Sequence, residues 1–337
     1  MSLRLIEMFL PEGYKKVVKE ALEELDVLDV WHEMVEEDRA HMKILVYAGQ
    51  TETVLDLLEK RYSHMEGFRI ILLSVEATIP RPKPEEKTQT LSETTKTTKQ
   101  TISRFIRISR EELYADIEKT VRISWVFFAM VFFSSIVASV GILRNSVVFI
   151  IGAMVIAPIL GPNVALSFAT ALGDIGLSRR AIRAIGFGIL TALVSSMVIG
   201  MVFEVSPEIP ELKIRTEVSS ADIVLALVAG SAAALSFTSD LFSALIGVMV
   251  AVALLPPLVT FGMLTASSQW ELALGSLYLF LINLICVNLA GVVTFLIQGI
   301  RPLTWWEATK AKKATRIALL IWAFLLMALA IMILLSR

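Results

Sequence analysis

Beyond residue 122 the chain is written almost entirely as apolar stretches of about twenty residues, separated by short polar joints. A helix of that length spans the hydrocarbon of a bilayer, where every backbone N–H and C=O must find its partner inside the protein. A chain patterned this way has one main outcome, a bundle of spanning helices. Seven candidate spans are readable, at 123–143, 146–172, 183–204, 221–238, 241–265, 274–299 and 315–335. The fourth, "ADIVLALVAGSAAALSFTSD", is short and rich in small residues, which suits a helix packed tightly against neighbours or one that does not cross fully. Composition agrees: 55% of the 337 residues are hydrophobic and 19% charged, with a mean hydropathy of +0.70, well outside the soluble range.

The joints carry an orientation signal. Arg104, Arg107, Arg110, Lys119 and Arg122, then Arg179, Arg180 and Arg183, then Arg301, Lys310, Lys312, Lys313 and Arg316 fall on alternate sides from Arg144, Lys213, Arg215 and Arg337. Cytoplasmic loops collect Lys and Arg, so seven spans in a cell (plasma) membrane are expected, with the N-terminus cytoplasmic and the C-terminus outside. The formal net charge of −1 gives no reason to expect nucleic acid as a partner. A single cysteine, Cys286, excludes an intramolecular disulfide and a multi-cysteine metal site.

The first 80 residues read differently. Strand-like alternation at 2–10 is followed by helical periodicity at 14–25, where Val17, Val18, Ala21, Leu22 and Leu25 share a face. Two more strands, at 27–37 and 42–49, precede a helix at 51–62 and a strand at 68–80. This βαββαβ order predicts an α+β ferredoxin-like domain, placed in the cytoplasm because "MSLRLIEMFLPEGYKK" lacks the apolar core of a signal peptide. Its three histidines, His32, His41 and His64, have no ligand spacing, so no metal is expected. Residues 81–122 form a linker rich in Thr, Lys and Glu and then an entry helix, opened by a capping-box pattern at Ser109 and Glu112. The membrane domain occupies 123–337.

Within that domain "IGAMVIAPILGP" (151–162) recurs, 95 residues on, as "IGVMVAVALLPP" (246–257), with Ile, Gly, Met, Val, Leu and the second Pro coinciding. Three spans separate the copies, so they run in opposite directions, and the pattern predicts a three-plus-three inverted repeat, 123–205 and 218–300, with one added helix. Prolines interrupt helices and free backbone carbonyls, which hydrocarbon tolerates only where protein or water faces them. Interruptions are therefore expected at 158–163 and 253–258, around a shared interior site. Its candidate residues are Pro158, Gly161, Pro162, Asn163 and Ser167 from the first copy, Pro256 and Pro257 from the second, and Asn283 and Asn288 from the sixth span. The two asparagines point about 140° apart on a helix and need not share one site. Packing is the plainer role for each residue alone, since prolines, small residues and lone asparagines all serve helix association in membranes.

No Lys, Arg, Asp or Glu occupies a span centre, which argues against a proton relay and for a neutral or weakly polar solute, or an ion held by carbonyls. No paired catalytic carboxylates, HExxH or nucleophile elbow lies at membrane depth, so neither an enzyme nor a cofactor is expected. The expected function is a membrane transporter or channel with a cytoplasmic regulatory domain. The alternative is a membrane-anchored sensor or scaffold in which the ferredoxin-like domain binds a ligand or partner. Small-residue surfaces such as "AGSAAALS" also suggest a homo-oligomer.

"IGAMVIAPILGP", "VAGSAAALS" and "IGVMVAVALLPPL" followed by "INLICVNLAGVVTF" resemble the hydrophobic membrane-protein family called domain of unknown function 389, over about 130–300. The resemblance implies a prokaryotic multispan protein and leaves the substrate open.

Overall fold

The computed structural model describes residues 3–11, 27–36, 39–65, 68–75, 109–239 and 244–300, with isolated positions outside those runs. The chain divides into two compact units, Met1–Tyr114 and Ala115–Arg337.

In the first unit, four strands form one antiparallel sheet: β1 Leu3–Pro11, β2 Asp29–Glu36, β3 Arg39–Tyr47 and β4 Arg69–Val75, in the order β2-β3-β1-β4. Between β3 and β4 lies helix α1, Ala48–Tyr62. Val18 and Glu20–Leu22, between β1 and β2, are helical. Period-two alternation decides which face is covered. Ile6, Met8 and Leu10 of β1 and Met42, Ile44 and Val46 of β3 are buried against Val54, Leu55, Leu58 and Tyr62 of α1, and Val18 and Leu22 join them. Arg4 lies on that same face, 3% exposed, and its Nε donates to the Glu112 carboxylate at 2.9 Å. Helix α2, Arg110–Thr120, supplies that partner and a second pair, Arg110 with Asp56 at 3.0 Å. Burial works against the Arg110 charge, but Glu111, Asp56 and Glu52 outweigh it and raise the guanidinium pKa. His41 stacks on the Phe9 ring, centroids 4.5 Å apart. The expected linker at 81–103 lies outside the described residues.

The second unit is helical: α3 Trp125–Leu143, α4 Val147–Ile156, α5 Leu160–Leu172, α6 Ile175–Val202, a short α7 Pro210–Lys213, α8 Ser220–Thr238, α9 Ala244–Ala266 and α10 Trp270–Ile297. Helices α3, α6, α8 and α10 are long and apolar enough to cross a bilayer, and α4 with α5 makes a fifth crossing if counted as one bent span. Helix α9 adds 23 uncharged residues against α6 and α10. Large apolar side chains face outward on α3, α4 and α6, among them Phe133, Val148 and Val194, as a lipid-facing surface requires. This is a multi-pass membrane protein. The candidate seventh span, 315–335, falls largely outside the described residues, so seven crossings are an expectation the structure leaves open.

Helix ends follow local chemistry. Ser124 caps α3 by accepting from Phe127 N–H, Asp174 caps α6 by accepting from Leu177 N–H, and Ser219 with Asp222 forms a capping box on α8. Gly173 ends α5 at φ 70°, the left-handed position that turns the chain into α6 within two residues. The marginal fourth span is a full 19-residue helix, and its small residues have a purpose: a Cβ on Gly230 would stand 2.7 Å from the Val287 Cα of α10. The two helices touch backbone to backbone.

Candidate functional site

The two proline motifs differ. In the first, the helix breaks at Ala157–Ile159, where Ala157 takes extended backbone (ψ 118°), and α5 leaves α4 at 54°. In the second, the expected interruption at 253–258 is absent: α9 continues as helix through Pro256 and Pro257. The reason lies on the neighbouring helix. Pro257 has no N–H to offer the Ala253 carbonyl, and Asn283 Nδ2 donates to that oxygen at 2.7 Å instead. An amide side chain replaces the lost helical donor, and the segment stays helical through its prolines.

The other asparagine serves elsewhere. Asn288 is fully buried, and its Nδ2 donates to Asn163 Oδ1 at 3.0 Å and to the Leu284 carbonyl at 2.8 Å. Asn163 Nδ2 donates to the carbonyl of Ile159, the last residue of the break, at 2.8 Å. Ser167 Oγ shares its proton between the carbonyls of Asn163 and Asn288, each 3.1 Å away. Asn163, Ser167 and Asn288 thus form one network joining α5 to α10 across more than 120 positions of sequence. Asn283 stands apart from it. Two buried oxygens beside α9 have no partner among the described residues, Asn283 Oδ1 and Thr260 Oγ1.

A small cavity of about 20 Å³ lies against the break, room for about one water molecule. Pro162 and Asn163 line it; Pro158, Gly161, Ser167, Pro256, Pro257, Asn283 and Asn288 do not border it. Gly161 instead backs onto the Thr120 side chain, where a Cβ has no room. The other walls are apolar and were not legible as site residues. They obey a rule nonetheless: Ile159 with Leu254, Asn163 with Leu258, Ile185 with Phe280 and Ile189 with Leu284 all line the cavity, and each pair is 95 positions apart.

The same interval governs contacts away from the cavity. Gly291 of α10 accepts the Ser167 side chain of α5, and 95 positions from each, Gly262 of α9 accepts the Ser196 side chain of α6. Phe168 meets Phe295 with centroids 5.4 Å apart, while their counterparts Met263 and Gly200 meet backbone to backbone. The exchange of Ser for Gly at this interval is a sequence signal from which Ser196, Gly262 and Gly291 were findable. Among the described residues no group of three His, Cys, Asp or Glu side chains comes close enough to hold a metal ion.

No solved structure matches this chain. An archaeal protein of Methanocaldococcus jannaschii, described as uncharacterized, is 32% identical over 334 residues, covering 99% of this chain and 99% of its own length. The family profile described as Domain of unknown function (DUF389) matches residues 154–289, an interval that opens just before the helix break and closes just after Asn288. By that near full-length similarity and that profile, the chain belongs to the DUF389 family.

Proposed function

We propose that the protein is a transporter or channel for a small solute, built as a three-plus-three inverted repeat whose proline motifs meet at an interior site. The observation that carries this reading is the cavity beside the break. A space lined by residues paired at one interval lies on the axis relating two halves of a molecule, and broken helices at such an axis are where secondary transporters bind their cargo. Asn163 is the polar group at that wall, with its amide turned to the protein, and Pro162 holds the chain off its helical course beside it. With no charged side chain at the cavity and its one amide already bonded, a neutral cargo fits better than a bare ion, whose desolvation would go unmatched.

The plasma membrane is the expected location, with the first unit cytoplasmic, ferredoxin-like in strand order and regulatory in role. Paired labelling tests the inverted arrangement. In a Cys286→Ala background, Ser206→Cys should react with an impermeant thiol reagent from outside only, and Ser178→Cys from the cytoplasm only. Flux tests the function. Proteoliposomes challenged with urea, glycerol or an alkali chloride should reswell faster than empty liposomes for one of these solutes, and Pro162→Ala should abolish the difference while the protein remains monodisperse. Reswelling equal to empty liposomes for every solute, or unaltered in Pro162→Ala, would overturn the assignment. A sensor or scaffold is the second reading, favoured by one observation: Asn163, Ser167 and Asn288 are satisfied inside the bundle and the cavity admits about one water.

A further inference from the structure

The two proline motifs are equivalent in sequence position yet opposite in conformation. Pro162 leaves the Pro158 carbonyl without a helical donor, as Pro257 does for Ala253, each pair being 95 positions apart. Ala253 O is bonded by Asn283, and α9 stays helical. The position equivalent to Asn283 is Gly188, which has no side chain to donate, and there the helix is broken. One substitution between the halves thus accounts for which half bends.

The helical setting of α9 is weakly held. Asn283 gains one hydrogen bond at Ala253, while its buried Oδ1 finds no partner among the described residues, and an unsatisfied buried oxygen offsets much of what the bond contributes. A second arrangement of this segment therefore lies within reach of a small change in its bonding.

We infer that the protein has a second conformation in which the halves exchange roles: α9 breaks near Ala253, the 158–162 segment straightens, and the cavity between them opens toward the opposite membrane face. Asn283 is the positioning residue that sets the balance. This rests on the inverted-repeat reading above and adds to it what moves and what holds it.

The test transposes the asymmetry. Asn283→Ala removes the donor from Ala253 O, and Gly188→Asn places an amide at the equivalent position, for Pro158 O to meet in the exchanged conformation; a Cβ at Gly188 meets the Phe127 ring at 3.5 Å, ordinary contact, and the position borders the cavity. Both changes favour the exchanged conformation. The reporter is Ile189→Cys on the cavity wall in a Cys286→Ala background, reconstituted as the full chain, with its reaction rate toward an impermeant thiol reagent measured separately from each face. Each single variant should shift the ratio of the two rates in the same direction by roughly three- to tenfold, the worth of one hydrogen bond in a membrane interior, and the double variant should shift it further. Hydrogen exchange should quicken at 254–260 and slow at 160–163 in the double variant. Shifts in opposite directions, an unchanged ratio in folded protein, or exchange that quickens uniformly along the helices would each overturn the inference. Gly188→Asn adds a contact and so remains informative if Asn283→Ala fails to fold. Neither readout needs a known cargo: altered sidedness without flux leaves the exchange standing and removes transport, while flux with fixed sidedness does the reverse.

Discussion

The network joining α5 to α10 makes a quantitative prediction. Asn288→Ala takes away the donor that Asn163 Oδ1 receives at 3.0 Å and the donor of the Leu284 carbonyl at 2.8 Å. Asn163 and Asn288 are 1% and 0% exposed, so the oxygen left behind has no bulk water to bond. A side-chain hydrogen bond between membrane helices contributes about 0.6 kcal/mol on average and up to about 1.7. An orphaned buried oxygen adds about 1–3 kcal/mol. The Asn288→Ala variant should therefore lose about 2–3 kcal/mol, and Asn163→Ala about as much, since it removes the same contact together with its own donation to the Ile159 carbonyl at 2.8 Å. Once either partner is gone, removing the other costs little more, so the double variant should fall short of additivity by about 1 kcal/mol. Reversible unfolding in mixed micelles, titrated with SDS, measures each corner of the cycle. Asn163→Ala combined with Ser139→Ala is the control, because the Ser139 hydroxyl donates to the Ser135 carbonyl inside α3, away from this network, and that pair should be additive. A coupling between Asn163 and Asn288 below about 0.3 kcal/mol, or one equal to the control's, would refute the network.

Close helix contact and the extent of the first unit give two more predictions. Gly230→Ala places a methyl 2.7 Å from Val287 Cα, which is backbone and cannot turn aside, so α8 and α10 must separate at a loss of about 1–3 kcal/mol in the same titration. Gly152→Ala meets nothing within 4 Å inside α4 and should be neutral or stabilising by up to about 1 kcal/mol; equal losses for the two would contradict the packing. A soluble fragment of residues 1–122 should exceed one of 1–80 in thermal stability, since only the longer keeps Glu112 for the buried Arg4 and Arg110 for Asp56, a difference of about 3 kcal/mol. Matching melting curves for the two fragments would show that these pairs do not stabilise the unit.

Much of the architecture was readable along the chain, because hydropathy and periodicity are properties of neighbouring residues. Alternation over 2–10 and 42–49 announces strands buried on one face, and β1 and β3 bury Ile6, Met8, Ile44 and Val46 accordingly. Uncharged runs of sufficient length announce membrane helices, and proline at 158 and 162 announces a break that α4 and α5 display. The interval of 95 was also there to read, and it carries through to the lining of the cavity.

What remained hidden depended on partners far away in sequence. Pro256 and Pro257 predict a break as plainly as Pro162 does, yet the outcome at Ala253 is decided by Asn283, 30 positions later on another helix. Asn283 and Asn288 are indistinguishable as polar residues in one apolar run, and only the packing of α10 sends one to α9 and the other to Asn163 of α5. The apolar walls of the cavity, Ile185 and Phe280 among them, look like lipid-facing residues until the fold turns them inward. A local pattern reports how strongly a segment avoids water and what backbone course it prefers. Which freed carbonyl is satisfied, and so which half bends, is settled by the side chain that neighbouring helices bring within 3 Å, and that geometry exists only once the small residues have let those helices meet.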